Sequence, residues 1–377
     1  MKNIIYFLFS ILLLLASSCQ TDKEQKNEKP ESIFTPEYAE YFQIEYYKSY
    51  KKILILNPWS NENLNMEYYI PHAGHHKSVK NPEYSFIIKD IPKKVVALSS
   101  PMVGLMNLLD LSANIKGVSD PFLIYNEDIL NRVKSGEIED IGKSIQINME
   151  KMIMLQPDLV IGSGWDKLSP DYEKMIQMKM TPVLMYDWQE NHPLGKAEWM
   201  ILLASFFNEE EKATALFQEV KSNYIKQKEF MTFDKQPIVF NGSEYQGIWY
   251  SAGGKSYMAQ LIDDASGQYL MRDDSTSGSL MLDFEVLMHQ ASKADIWMYT
   301  GASSEDRLGL FAKPKYQSLN AVKKHKVYSY HNRMNENGAN DYWETASFRP
   351  DIVLEDLIKI FHSNEPENLY YFDKVRY

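Results

Sequence analysis

The chain contains one cysteine, Cys19, in 377 residues. A single thiol forms no disulfide within the chain and supplies too few ligands for a cysteine zinc cluster, so a disulfide scaffold and a structural zinc module are excluded. Basic residues are also in the minority, with 40 Lys plus Arg against 51 Asp plus Glu and a net charge of −11. Because nucleic acids are bound through a basic excess, we expect no nucleic-acid partner.

Signatures of common catalytic and nucleotide sites are also missing. The sequence has no G-x-S-x-G, H-E-x-x-H, Walker A or G-x-G-x-x-G motif. Gly162 and Gly164 come nearest to a nucleotide loop, but Lys167 stands at the third glycine position. Paired carboxylates flank a predicted helix and are typical of turns and caps: Asp263, Asp264, Asp273 and Asp274. We therefore predict that the chain is not an enzyme, with a hydrolase as the alternative.

The longest apolar run lies at the N-terminus. Residues Ile4 to Leu15 follow the single cation Lys2 and precede three small residues. This is the pattern of a secretory signal over residues 1–18, and the run is shorter than the roughly 20 residues of a membrane span. The small residues end on Cys19, which resembles the lipobox of bacterial lipoproteins and makes Cys19 the expected lipidation site. The alternative is an ordinary signal peptide or anchor helix with an incidental cysteine.

Two segments precede the first α/β pattern. Residues 19–33 are almost entirely polar, which predicts a disordered tether. Residues 34–92 are rich in Tyr and Ile, with alternating runs at Lys52–Leu56 and Tyr84–Ile88 that are separated by prolines. Runs of this length and composition indicate β-strands, so this segment is predicted to be a β-rich N-terminal extension.

The remaining chain alternates short apolar runs with helical periodicity, which predicts two α/β lobes with parallel sheets, over residues 93–207 and 233–363. The runs that we assign to buried strands are Val95–Leu98, Leu159–Ile161, Val183–Met185, Ile238–Phe240, Ile296–Tyr299 and Val327–Tyr328. Between the lobes, residues 208–232 have apolar side chains at helical spacing and three glutamates at the start. We predict a long helix there that bridges the lobes.

A similar unit occurs once in each lobe. Asn148–Ile161 and Phe284–Met298 each read as a short helix with a glutamate in its first turn, a break, an aspartate and a buried strand. The two glutamates are Glu150 and Glu285. Taken alone, each is a solvated carboxylate favoured by the helix dipole.

The order of several motifs resembles one family. In the N lobe these are Lys94–Ser100, Ile115–Asp120, Ile141–Gly142, Asn148–Glu150 and Gln156–Ile161, and in the C lobe Ser251–Tyr257, Leu261–Ala265 and Phe348–Val353. Over about residues 93 to 362 the chain is similar to the substrate-binding proteins of ABC importers for ferric siderophores, haem and vitamin B12. The resemblance implies two lobes joined by one long helix, and it implies that Glu150 and Glu285 dock onto arginines of the permease. The extension over residues 34–92 departs from the minimal family pattern.

Ligands of α/β proteins bind at the carboxyl ends of the strands. Aromatic residues that follow predicted strands are candidates to contact a flat ligand: Trp165, Tyr245, Trp249 and Tyr250. Lys143 and Arg333 are candidates to pair with ligand carboxylates, with Arg272 and Lys255 as further cations. His331 is either an axial haem ligand or a polar loop residue. The three histidines His72, His75 and His76 are predicted to lie in a loop, and no metal site is expected.

The resemblance implies a lipid-anchored, exported and monomeric protein with no cofactor of its own. We expect it to capture a ferric siderophore and to deliver it to a permease and ATPase complex, with cobalamin or haem as alternative ligands. The anchor would hold it on the periplasmic face of a bacterial membrane or at the cell surface. A second class stays open, a surface lipoprotein that passes ligand to an outer-membrane receptor, for which residues 22–31 would act as an export signal.

Overall fold

A computed structural model describes residues 29–59, 65–72, 84–229, 235–301 and 313–375, and the statements below concern those residues. They form a mixed α/β structure with parallel sheets and a β-rich N-terminal region, so the predicted fold class is confirmed. Within these ranges, no helix combines the length and apolar character that a membrane span requires.

The N-terminal extension is a five-stranded sheet in sequence order. Its strands are β1 (Ser32–Phe34), β2 (Phe42–Tyr46), β3 (Tyr50–Ile55), β4 (Met66–Pro71) and β5 (Ser85–Ile87). The first four pair antiparallel, and β5 pairs parallel with β4. In β3, Ile53 and Ile55 are fully buried while Lys52 and Leu54 on the opposite face are half-buried. One face of this sheet therefore packs against the rest of the protein.

The N lobe is built on a parallel five-stranded sheet in the order β12-β11-β6-β7-β8. Its strands are β6 (Val95–Ala97), β7 (Ile115–Val118), β8 (Glu139–Asp140), β11 (Leu159–Ser163) and β12 (Pro182–Met185). A small hairpin comprises β9 (Gly142–Lys143) and β10 (Gln146–Ile147). The helices are α1 (Ser100–Leu108), α2 (Glu127–Lys134), α3 (Met149–Leu155), α4 (Pro170–Gln177) and α5 (Pro193–Ser205). Apolar strands such as β12, buried at every position, fit a sheet covered on both faces.

Helix α5 is the most buried helix of the lobe, since all thirteen of its residues are buried. Glu198 on this helix binds the extension: its Oε1 accepts from the main-chain N–H of Glu37 at 2.8 Å, and its Oε2 accepts from Tyr38 and Ala39 at 2.8 and 2.9 Å. Burying a carboxylate costs free energy unless it is hydrogen-bonded, and these three donors compensate for that cost. The extension is thus fixed to the lobe by buried, charge-assisted bonds.

Helix α6 (Glu210–Glu229) bridges the lobes, and its twenty residues make it about 30 Å long. Near its start, Lys212 Nζ donates to Leu109 O at 3.0 Å in the N lobe. Near its end, the hydroxyl of Tyr224 donates to Asp264 in the C lobe, and Lys228 Nζ lies 2.7 Å from the same carboxylate. These contacts attach opposite ends of one helix to different lobes.

The C lobe has a mixed seven-stranded sheet. Its strands are β13 (Ile238–Tyr245), β14 (Ile248–Ala252), β15 (Gln268–Tyr269), β16 (Ser279–Asp283), β17 (Ile296–Tyr299), β18 (Val327–Ser329) and β19 (Asp373–Lys374). The order is β16-β14-β13-β17-β18-β19, with β15 parallel to the start of β13. The helices are α7 (Tyr257–Asp264), α8 (Phe284–Ala291), α9 (Asn320–Lys323), α10 (Asp341–Thr345) and α11 (Pro350–His362).

The C lobe extends beyond residue 363, where the sequence pattern placed its end. Strand β19 pairs antiparallel with β18, and both Tyr371 and Phe372 are buried. Asp356 on α11 accepts from the main-chain N–H groups of Tyr370 and Tyr371 at 2.8 and 2.7 Å. The sequence pattern missed this strand because two residues are too short to show periodicity.

Candidate functional site

The carboxyl ends of the parallel strands present aromatic side chains in both lobes. In the N lobe, Trp165 follows β11 and Trp188 follows β12. In the C lobe, Tyr330 follows β18 directly. Because ligands of α/β sheets bind outside these strand ends, the cavities there are the candidate ligand sites.

The N-lobe cavity has a volume of about 660 Å³. Its lining includes Ser99 after β6, Ile145 in the β9–β10 hairpin, and Trp165. Ile145 and Trp165 are both exposed, Trp165 by 55%. The ring of Trp165 packs on Trp188, with the ring centroids 4.8 Å apart. A hydrogen bond fixes the ring of Trp188, because its Nε1 donates to Gly164 O at 3.1 Å.

The C-lobe cavity is smaller, about 150 Å³, and is lined mainly by aromatic rings. Tyr330 and Tyr342 stack in its wall with centroids 5.0 Å apart and planes 18° from parallel. Trp343 on α10 packs edge-on against Tyr330 and is 52% exposed. This wall provides apolar, flat surface together with the polar group of Asn241 at one side.

A buried lysine lies against the aromatic C-lobe wall. Lys196 on α5 places its Nζ 4.3 Å from the ring centroid of Tyr257, which lines the C-lobe cavity. Burial lowers the pKa of Lys196, while Asp187 and Glu190 act in the opposite direction. Burial also raises the pKa of Asp187, and raises that of Glu190 to about 7. Lys196 is therefore a buried cation that packs against one ring of the C-lobe wall.

The two lobes also touch through α10 and the loop before it. The Oε2 of Glu344 accepts from the main-chain N–H of Tyr125 at 2.6 Å. Asn335 donates to Ile124 O at 3.0 Å. Gly104 on α1 lies directly under α10, because a Cβ placed there would lie 2.1 Å from the main-chain oxygen of Glu344. A glycine therefore permits the close approach of the two helices.

The four aromatic residues that were predicted to contact the ligand differ in their exposure. Trp165 lies exposed at the N-lobe cavity, and Tyr245, at the end of β13, is 65% exposed. Tyr250 is half-buried in β14. The prediction that Trp249 contacts the ligand is wrong, because its side chain is 0% exposed and its Nε1 donates to Asn241 O at 3.1 Å. It packs against Trp297 in the C-lobe core and cannot reach a ligand there.

The predicted cations also differ in their surroundings. Lys143 is exposed in strand β9, next to Ser144, which lines the N-lobe cavity. Arg333 is engaged within the protein: its Nε donates to Asp341 Oδ2 at 2.6 Å, and its guanidinium lies 4.4 Å from the ring centroid of Tyr370. It also lies over Tyr125 of the N lobe, so its role in this structure is at the junction of the lobes.

Histidines form no metal site in the described ranges, where no three His, Cys, Asp or Glu side chains gather to hold an ion. His331 is buried and stacks on Tyr330, with centroids 4.8 Å apart. The ring Nε2 of His72 lies 3.2 Å from Tyr47 O, while His75 and His76 lie outside the described residues. Cys19 also lies outside them.

The predicted docking glutamates are both exposed in the first turns of helices, Glu150 on α3 and Glu285 on α8. The aspartates of the same repeated unit are structural. Asp158 Oδ2 accepts from the N–H groups of Lys93 and Lys94 at 2.7 and 2.9 Å, next to β6. Asp295 Oδ2 likewise accepts from the N–H of Ile238 at the start of β13, at 3.1 Å.

Sequence reasoning missed two exposed tryptophans at the strand ends. Trp343 lies in the short helix α10, more than ten residues after the end of β18, so no strand-end pattern marks it. Trp59 belongs to the extension and follows the predicted strand Lys52–Leu56 by three residues. For Trp59, an aromatic residue just past a predicted strand was the available signal, but it did not show that the extension would pack on the N lobe at the ends of its strands.

Comparison with known proteins matches the chain to a family of periplasmic binding proteins and to relatives named as lipoproteins. A family model described as "Periplasmic binding protein" matches residues 95–334. An uncharacterized lipoprotein of Methanocaldococcus jannaschii is 26% identical over 353 residues, covering 86% of this chain and 81% of its own. An uncharacterized ABC transporter substrate-binding lipoprotein of Bacillus subtilis is 25% identical over 249 residues, covering 64% and 73%.

Solved structures share the fold at low identity. A periplasmic heme-binding protein from Pseudomonas aeruginosa superposes with a TM-score of 0.57 at 14% identity, covering 76% of this chain and 99% of its own. A protein of an Fe3+-hydroxamate transport system from Saccharomonospora viridis gives 0.55 at 15%, covering 72% and 94%. The family model spans more than half of the chain, and the two-lobe architecture agrees with it, so this chain belongs to the periplasmic binding protein family of ABC importers.

Proposed function

We propose that the chain is a lipid-anchored, substrate-binding component of an ABC importer, and that it captures a ferric siderophore between its lobes. The observation that carries this proposal is the pair of aromatic surfaces at the carboxyl ends of the strands, around Trp165 in one lobe and Trp343 in the other. Helix α6 joins the lobes that carry them.

The aromatic surfaces favour a flat or conjugated metal complex. Aromatic rings bind such ligands by stacking and by burying apolar area, each pair contributing about 0.5–1.5 kcal/mol beyond the area term. A ferric siderophore with aromatic iron-binding groups suits both surfaces, and a haem or corrin ring suits them as well. Cobalamin and haem are therefore the second candidates. The similar heme-binding protein supports a conjugated ligand, and the similar Fe3+-hydroxamate protein supports an iron complex more generally.

The proposed partners follow from the family and from surface charge. Glu150 and Glu285 each project a carboxylate from the first turn of an exposed helix, one in each lobe. Arginines on a permease would pair with them through charge-assisted hydrogen bonds. Lipid on Cys19 would keep the protein at the membrane where that permease lies. The relatives named as lipoproteins support the anchor.

Ligand binding is tested on the full chain purified in detergent. Ferric enterobactin, haemin and cyanocobalamin are each titrated while tryptophan fluorescence and the melting temperature are recorded. We expect quenching and a raised melting temperature with one of them, because a ligand that binds only the folded state stabilises it. Trp343→Ala should weaken binding about tenfold, while Met281→Ala, which removes an exposed side chain from β16 of the same lobe, should not.

Two results would contradict the proposal. The first is the lack of a response to all three probes, which would reject a conjugated metal complex as the ligand. The second is equal affinity in the Trp343→Ala variant and the unmodified chain. In that case the aromatic C-lobe surface has no part in binding.

A further inference from the structure

We propose that Trp59 of the N-terminal extension is a ligand-binding and specificity-determining residue. With Trp165 and Trp188 it forms a surface, here called the tryptophan ledge, that binds the flat face of a conjugated ligand. This inference rests on the proposed function and gives the extension a part in it. The family pattern covers residues 95–334 and therefore does not include Trp59.

The ledge is assembled from two units of the protein around a central ring. Trp188 of the N lobe packs against Trp165 with centroids 4.8 Å apart and against Trp59 with centroids 5.8 Å apart. Both pairs have planes inclined by 49°. Trp59 also contacts Tyr186 edge-on, at 6.0 Å. The extension thus reaches the carboxyl ends of β11 and β12, where the cavity of the N lobe opens.

The loop that carries Trp59 is held in place by Asn57. Asn57 is buried, and its Oδ1 accepts from the main-chain N–H of Trp59 at 3.0 Å. Its own main-chain N–H donates to Asn65 Oδ1 at 2.8 Å, and its Nδ2 lies 3.4 Å from the hydroxyl of Tyr186. Nearby, the hydroxyl of Tyr68 on β4 donates to Pro182 O at 2.6 Å, which fixes the sheet to β12. These hydrogen bonds therefore fix the position of Trp59 relative to the N lobe.

Packing in the protein core does not account for the positions of Trp59 and Trp165. Trp59 is 39% exposed and Trp165 is 55% exposed, although burying a tryptophan is among the larger gains available to a folded chain. Trp165 also lines the N-lobe cavity, so the ledge borders that cavity at its Trp165 end. Exposed aromatic surface beside a cavity is typical of a binding site.

The ledge selects by shape and electron distribution. Three indole rings provide π-faces and no formal charge, so they favour a ligand with a conjugated, planar face over one of the same charge without rings. A tetrapyrrole or an aromatic siderophore has such a face, whereas a linear hydroxamate complex of iron does not. The predicted ligand class is therefore conjugated metal complexes.

The test uses the full chain in detergent and measures affinity by titration with haemin, cyanocobalamin, ferric enterobactin and ferrioxamine B. Each titration is repeated in detergent without protein. Trp59→Ala should weaken binding of the conjugated ligand about tenfold, and Trp59→Phe should stay within about threefold because a ring is kept. Ile33→Ala, an exposed apolar position on β1 of the same extension, is the matched control and should bind normally.

The outcomes separate this inference from the proposed function. Tighter binding of ferrioxamine B than of every conjugated probe, or equal affinity of Trp59→Ala and the unmodified chain, overturns the inference and leaves the importer function standing. The lack of any binding by the unmodified chain overturns both. Thermal unfolding of each variant shows whether it is folded, and the Trp59→Phe variant keeps the test open if Trp59→Ala is not.

Discussion

The carboxylate of Glu344 in the C lobe accepts a hydrogen bond of 2.6 Å from the main-chain N–H of Tyr125 in the N lobe. Burial is the main cause that raises the pKa of Glu344 to about 7 from its ordinary 4.5, and Asp341 nearby adds to the shift. The bonds to Tyr125 and Asn126 oppose it. A carboxyl group at the junction of the lobes therefore titrates near neutral pH.

The first prediction concerns the pH dependence of stability. The folded protein holds a proton on Glu344 up to about pH 7 and the unfolded chain releases it near pH 4.5, so this group lowers stability as pH rises between those values. Glu344→Gln should remove that part of the decline, about 1–3 kcal/mol in the free energy of unfolding. Urea unfolding from pH 4 to 8 measures it.

Glu190 contributes in the same direction, because its pKa is also raised to about 7. The informative quantity is therefore the difference between the Glu344→Gln variant and the unmodified protein at each pH. Parallel curves for the two proteins would show that Glu344 does not titrate in this range.

The second prediction concerns attachment of the extension. Glu198→Ala leaves the N–H groups of Glu37, Tyr38 and Ala39 without their acceptor, so we expect a loss of about 2–4 kcal/mol in unfolding free energy. The N-terminal extension should also become the first site of cleavage in limited proteolysis. Glu198→Gln keeps an acceptor oxygen and is the matched variant. Equal stability of the two variants would contradict this account.

The third prediction concerns permease docking. Glu150→Lys together with Glu285→Lys should abolish ligand uptake by cells while ligand affinity of the purified protein is unchanged, because reversed charges repel basic residues on the permease. The control reverses Glu127 on α2 and Glu355 on α11, which are exposed glutamates of the same two lobes. Uptake that survives the first pair, or is lost equally with the control pair, would reject the assignment.

The fourth prediction concerns the anchor. Cells that carry the unmodified chain should incorporate radioactive fatty acid into this protein, and Cys19→Ala should remove the label and release the protein from the membrane fraction. Cys19 is the one thiol in the chain, so no second cysteine substitutes for it. Equal labelling of the two forms would exclude lipidation at this residue.

The repeated unit illustrates what a sequence pattern conveys. Its helix and strand are present in both lobes, and its two aspartates, Asp158 and Asp295, have the same task of binding the start of a neighbouring strand. The similarity was visible because local periodicity reports helix and strand directly. The role of the aspartates was not visible, since their donors lie about 60 residues away in the chain.

The tryptophans show the limit of the same reasoning. Trp249 is an aromatic residue near a predicted strand end and was therefore a candidate to contact the ligand. Side chains alternate between the two faces of β14, and this alternation places Trp249 in the C-lobe core. Trp59 was assigned to a separate extension, and only the packing of that sheet on the N lobe brings it to Trp188. Neither outcome depends on local propensity.

The sequence by itself determined the fold class, because apolar runs and helical periodicity are local properties of the chain, and the order of its motifs carried the resemblance to the family. The lone cysteine, with the apolar run before it, predicts the anchor in the same way. Only the tertiary structure decided which aromatic residues are exposed at the strand ends and which charged groups join the lobes. Burial and hydrogen bonding depend on partners far away in sequence, and those partners are brought together only by the fold.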